Sequence, residues 1–333
     1  MNKRCSQFLV GFLLFNLIII GCAPATGDVP LPTLTLGLLE LSPTPPPPTA
    51  SPAIIVATVE PPSATILPSS STETPPATAL PLLPTIIPSS SGLAAVVLVK
   101  EDDVLNIRSG AGVGNPIIEQ LTATANGVQR TGRAQAIGGG AWAEVVTSTG
   151  GTGWVNARFL TEYIPATTFC ADSQIQFLLD DLKIALENAD GELFASLVSP
   201  SHGLDLRYYR HGTLANYSPE EAAWAFKSTY VVDWGDEPGS GFEKSGTFNE
   251  IPYPMLLEVF SANPTFFCND VGSASAFALE PWPFEYTNIH FYNVFKPGTE
   301  QYGGLDWRSW LVGVEYMEGK PYLFSMILFQ WEP

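Results

Sequence analysis

Near the end of the chain stand Ser309-Trp310-Leu311-Val312-Gly313-Val314-Glu315-Tyr316 and, after a short break, Tyr322-Leu323-Phe324-Ser325-Met326-Ile327-Leu328-Phe329-Gln330-Trp331. Both runs are rich in β-branched and aromatic residues, which pack well on a pleated surface, so both read as strands. Glu318-Gly319 between them has the chemistry of a two-residue hairpin turn, where glycine accepts a positive φ. Ile289 to Phe295 carries the same strand bias. Three such runs in succession predict a sheet of long antiparallel strands at the end of the chain.

Upstream of them the period changes to that of helices. Ser173 with Gln176 predicts a capping box, and Ile175, Leu178, Leu179, Leu182 and Leu186 fall on one face behind it. Gly191 is expected to end that helix; Leu193, Phe194, Leu197 and Val198 suggest a second before Pro200, and Ser218-Pro219-Glu220-Glu221 begins a third. Helices first and an antiparallel sheet last make residues 165–333 an α+β domain, of ordinary size for one core. In pattern alone, with no specific motif, this outline is similar to the cystatin-like folds, including the nuclear transport factor 2-like group. That likeness implies a curved sheet wrapped about a helix and a pocket.

Residues 93–164 read differently. Short Val- and Trp-rich runs, Ala94 to Val99, Ala143 to Thr147 and Gly153 to Asn156, alternate with Gly-rich turns and predict a small all-β barrel. The turn Ser109-Gly110-Ala111-Gly112 calls for residues that tolerate positive φ. Leu105-Asn106-Ile107-Arg108-Ser109-Gly110-Ala111-Gly112, then Ile117-Ile118, Leu121, Trp142, Glu144-Val145, Gly153-Trp154-Val155-Asn156 and Phe159-Leu160 together resemble a bacterial SH3-like (SH3b) domain across almost the whole length of that family. Ile107 and Ala111 depart mildly from the usual opening. The resemblance implies binding rather than chemistry, with peptidoglycan or wall peptide as the partner, and points to Asn106, Arg108, Trp142 and Trp154 as candidate ligand contacts. Two readings of these residues stand side by side. Asn106 and Arg108 either meet ligand or satisfy loop carbonyls, and the two Trp are either a sugar platform or core aromatics. With 5 basic and 6 acidic residues the module has no strong field for a charged polymer, so recognition has to be local.

Residues 22–92 cannot bury a core. From 23 to 92 the chain holds 17 of its 30 Pro, about 20 Ser and Thr, four acids and no Lys or Arg, which is the composition of a disordered Pro/Ser/Thr linker. Ahead of it, Lys3 and Arg4 precede an apolar run from Phe8 to Ile20. That run is shorter than the ~20 residues a membrane helix needs, and suits a signal peptide over residues 1–21. Ile19-Ile20-Gly21-Cys22 resembles the lipobox of bacterial lipoproteins. The resemblance implies cleavage after Gly21, a diacylglycerol on the Cys22 sulfur, and an exported protein anchored to a membrane on its extracytoplasmic face. The competing readings are an ordinary signal peptide with an incidental Cys, or an uncleaved anchor helix.

With Cys5 and Cys22 in the leader, Cys170 and Cys268 remain, in the similar settings Thr-Thr-Phe-Cys-Ala-Asp and Thr-Phe-Phe-Cys-Asn-Asp. Both settings read as short extended segments. In an oxidising compartment this pair is expected to form a disulfide, worth roughly 4 kcal/mol for a loop of about 100 residues; the alternative is two buried free thiols. The net charge is −18, and residues 165–333 hold 23 acids against 8 bases, which disfavours nucleic acid and anionic polymers.

His202, His211 and His290 are the three His of the chain, and with Asp205, Arg207 and Asp306 they offer an acid/base pair or an anion site. Ser201 to Gly212 reads as a polar loop, and structural His is the other reading. No zinc-ligand set, nucleophile elbow, phosphate loop or dinucleotide fingerprint is found, and Asp233, Asp236 and Glu237 lack EF-hand spacing, so no metal, cofactor or catalytic residue is expected. Three functions follow in order. They are a non-enzymatic envelope lipoprotein contacting wall polymer or peptide, a surface protein whose six Trp after residue 220 line a small-ligand or glycan pocket, and a hydrolase using His202 or His211 with Asp205. Nothing in the pattern sets an oligomeric state.

Overall fold

The computed structural model describes residues 92–272 and 282–332; the expected signal peptide, Cys22 and all of the linker except Gly92 lie outside them. The described residues are mostly β, with a few helices. The first sheet has seven antiparallel strands: β1 (Leu93–Val96), β2 (Val104–Arg108), β3 (Ile117–Thr122), β4 (Val128–Ile137), β5 (Gly140–Val146), β6 (Thr152–Asn156) and β7 (Leu160–Glu162), in the order β3-β2-β6-β5-β4-β1-β7. Leu105, Ile107, Ala143, Val145 and Val155 point inward and share one apolar cluster with Ala94, Val96 and Leu160. Gly153 is required where it stands, because a Cβ there would lie 2.4 Å from Ile107 Cγ2. In the turn after β2 only Gly112 has positive φ, at 108°. The other glycine, Gly110, is crowded by the Asn115 side chain.

Beyond β7 come α1 (Ala166–Ala171), α2 (Ser173–Asn188), α3 (Gly191–Leu197), β8 (Leu204–Arg207), β9 (Ala215–Tyr217) and α4 (Pro219–Trp224). The hairpin β10 (Val232–Asp236) and β11 (Glu243–Gly246) follows, then α5 (Pro252–Ser261), β12 (Thr265–Cys268), β13 (His290–Lys296), β14 (Arg308–Met317) and β15 (Lys320–Gln330). The second sheet runs β12-β13-β14-β15-β8-β9. The expected hairpin is β14–β15, with Glu318 and Gly319 at φ 52° and 74° in its turn.

Several expectations need correction. The stretch 201–212 is not simply a polar loop. Leu204 and Leu206 are fully buried, and β8 pairs parallel with β15, so the sheet is mixed and begins in the middle of the chain. Asp172, not Ser173, caps α2, accepting from the Gln174 N–H at 2.9 Å. Gly191 does not end α2. The turn is made at Ala189, φ 49°, Asp190 caps α3, and a Cβ on Gly191 would meet the Ala223 carbonyl at 2.0 Å. Gly191 therefore lets α3 approach α4. Cys170 lies in a helix rather than an extended segment, and α5 was not anticipated. The disulfide is as expected: Cys170 and Cys268 are joined, with Cα atoms 5.7 Å apart across a separation of 98 residues.

The strands β14 and β15 are buried on both faces, which explains their unbroken apolar character. Trp310, Val312, Val314, Leu323, Met326 and Leu328 join Leu179, Leu182 and Phe260 of the helices in one cluster. From the opposite face Leu311, Phe324, Ile327 and Phe329 form another cluster, and Val97, which follows β1, is buried in it. Backbone and side-chain bonds seal this contact. The Leu98 N–H donates to the Glu285 carbonyl at 2.8 Å, and Asn288 Nδ2 donates to the Val96 carbonyl at 2.8 Å. At the hairpin turn the Glu318 N–H donates to Glu162 at 2.6 Å. The first sheet thus packs against the second within one compact unit.

Candidate functional site

Strand alternation places the four sequence candidates on one face. Asn106 and Arg108 are two apart on β2; Arg108 lies opposite Trp154, Trp154 opposite Glu144, and Trp142 opposite Asn156. All point away from the apolar cluster. Of the four, Asn106, Arg108 and Trp142 line a common groove of about 430 Å³, together with Asn156, Phe159 and Val113. Lys100 and Asp103 stand in the same wall. Trp142 is buried and supplies apolar lining, while Val113 is 77% exposed.

The polar lining is tied in place. Asn106 Oδ1 accepts from Gln120 Nε2 at 3.0 Å. Arg108 donates to the Asn115 carbonyl at 2.8 Å, and Asn115 Nδ2 donates to the Ala111 carbonyl at 2.7 Å, so the arginine clamps the 109–115 turn. Such a groove offers amides, one ammonium, one guanidinium and one carboxylate beside apolar surface. Trp154 belongs to a neighbouring cluster instead. The Arg133 guanidinium lies 5.6 Å from its ring centroid and pairs with buried Glu144 at 2.8 Å. Asn156 was not among the candidates; its place two residues after Trp154 on one strand, and so on the same face, was the signal in the sequence.

The histidines are committed elsewhere. His202 is buried, with Nδ1 2.7 Å from Glu315 and Nε2 2.8 Å from the Arg158 carbonyl. Glu315 also accepts from Thr161 Oγ1 at 3.2 Å and from the Ser199 hydroxyl. Burial opposes protonation of His202, but the Glu315 carboxylate and the two hydrogen bonds outweigh it and raise its pKa. Asp205 is not its partner. That carboxylate accepts from Tyr286 at 2.5 Å and from Asn216 Nδ2 at 2.8 Å; burial first, and then the Asp205 charge and hydrogen bond, hold the Tyr286 phenol protonated.

His211 is exposed. His290 bonds the Ile164 carbonyl through Nε2 at 2.8 Å, its Nδ1 lies 3.1 Å from Asn269 Nδ2, and burial lowers its pKa. Asp306 closes a loop by accepting from the Thr299 N–H at 2.6 Å, and Arg207 pairs with Glu285 at 3.2 Å. Both ring nitrogens of His202 and of His290 are therefore engaged, and each ring reaches a backbone carbonyl in the 158–164 segment.

The six late Trp do not share one pocket. Trp234 and Trp310 are fully buried, Trp282 and Trp307 pack in the cluster around Val97, and Trp224 and Trp331 are exposed at separate places. Among the described residues no group of three His, Cys, Asp or Glu is arranged to hold a metal, and no helix is long and apolar enough to cross a membrane. No family model, curated protein or solved structure matches this chain.

Proposed function

We propose that the chain is a lipid-anchored, exported envelope protein without enzymatic activity, whose SH3-like barrel over residues 93–164 contacts wall polymer or peptide. In this reading Cys22 carries the lipid, the Pro/Ser/Thr segment is a tether, and the acidic α+β region is presented outward on the barrel. The observation that carries the reading is the convergence of Asn106, Arg108 and Trp142, three residues of the SH3b-like motif, on one groove. The hydrogen bonds of Asn106 and Arg108 within the barrel favour a preformed binding surface, which reduces the entropy lost on binding.

The test is co-sedimentation of the full chain, in detergent, with purified peptidoglycan sacculi. Val113→Arg, which fills the groove from an exposed rim position, is expected to abolish sedimentation, and Asn106→Ala to weaken it. Removal of residues 93–164 is a poorer test, because it would expose the cluster around Val97 and strip the Arg158 carbonyl and Thr161 from the buried Glu315–His202 pair. Lipid attachment is tested separately by metabolic labelling with a fatty acid, which Cys22→Ser should eliminate.

A further inference from the structure

A second groove, of about 770 Å³, lies on the acidic region and is unrelated to the first. One wall is β9, the edge strand of the second sheet, and the other is the segment entering β10. The two walls touch at one end, where the Thr213 N–H donates to the Trp234 carbonyl at 3.3 Å, and Gly212 and Gly235 are pressed together. The groove is lined by large apolar side chains left in water: Trp224 is 67% exposed, Tyr230 75%, Val231 59% and Leu214 44%. Four such residues in one depression form the kind of apolar patch that monomeric proteins rarely leave uncovered without a use.

Charge narrows the occupant. Glu220, Glu221 and Asp233 line the groove, and no Lys or Arg does. We propose that this groove docks an extended cationic peptide segment of a partner protein, which adds as a strand to the edge of β9. The edge supplies main-chain hydrogen bonds to the peptide, Trp224 and Tyr230 take its apolar side chains, and the carboxylates pair with its Lys or Arg. A second copy of this chain fits poorly, since it brings the same excess of acids to the contact.

The experiment is calorimetric titration of the full chain in detergent with a blocked hexapeptide alternating lysine and valine. Controls are the same peptide with glutamate in place of lysine, its version N-methylated at alternate amides, and an N-acetylglucosamine trisaccharide. The expected result is saturable binding of the lysine peptide alone, weakened by salt. Trp224→Ala and Glu220→Lys should each weaken it about tenfold or more, whereas Val113→Arg in the other groove leaves it unchanged. Absence of lysine-peptide binding, binding retained by both variants, or saturation by the trisaccharide in its place would overturn the proposal. So would a dimer in sedimentation equilibrium that Trp224→Ala dissolves.

Discussion

The two grooves use polar groups in opposite ways. In the first sheet, Asn106 and Arg108 are bonded to their own sheet and turn, in a region of nearly balanced charge. Beside β9, carboxylates stand next to aromatic side chains exposed to solvent, in a region with 23 acids against 8 bases. In the first groove the polar groups are tied down and Trp142 is buried, whereas in the second the aromatic side chains stand in solvent. A third arrangement, the buried Glu315 with His202, Ser199 and Thr161, joins the regions that carry the grooves. The contrast teaches that residue type alone does not set a tryptophan's surroundings: Trp234 is fully buried and Trp224, ten residues away in sequence, is 67% exposed.

The comparison is broken most severely at the junction. Glu315→Ala leaves His202 buried beside its other partners without its carboxylate, and is expected to cost about 3–5 kcal/mol, read from denaturant midpoints. Cys268→Ser opens the link between α1 and β12 and should cost about 2–4 kcal/mol by the same measurement. A smaller effect follows pH. The folded pKa of His202 is raised above its unfolded value of about 6.5, so its contribution is fully present below that pH. The contribution is lost as pH rises through the raised value. Thermal melts should therefore show a decline on the alkaline side that Glu315→Gln flattens. Smallest of all, Trp224→Ala should change stability by no more than about 0.5 kcal/mol, since its side chain is mostly in water; a larger loss would make Trp224 part of the core and remove the contrast between the grooves.

How much of this was legible in the sequence depended on range. The β14–β15 hairpin was readable because both its turn and its strands are local signals. Its apolar runs, however, could not reveal which face meets helices and which meets Val97, because burial on both faces erases alternation. Strand β8 was hidden by polar neighbours on either side of Leu204 and Leu206, and α5 by Pro252 and Pro254 at its start. Asp172 and Ser173 are adjacent residues that both cap well, and only backbone geometry chose between them. The SH3b-like motif names Asn106, Arg108 and Trp142, and these three line one groove. The partition of Trp154 to the Arg133–Glu144 cluster depends on cross-strand register, and the His202–Glu315 pair spans 113 residues with no local trace.

The most direct test of the central claim is sedimentation of the full chain with purified sacculi, unmodified and as Val113→Arg, Asn106→Ala and Trp224→Ala. The account predicts that the unmodified chain and Trp224→Ala pellet with the wall, that Asn106→Ala pellets less, and that Val113→Arg stays in solution while retaining its thermal midpoint. A folded Val113→Arg chain that sediments as fully as the unmodified one would contradict it.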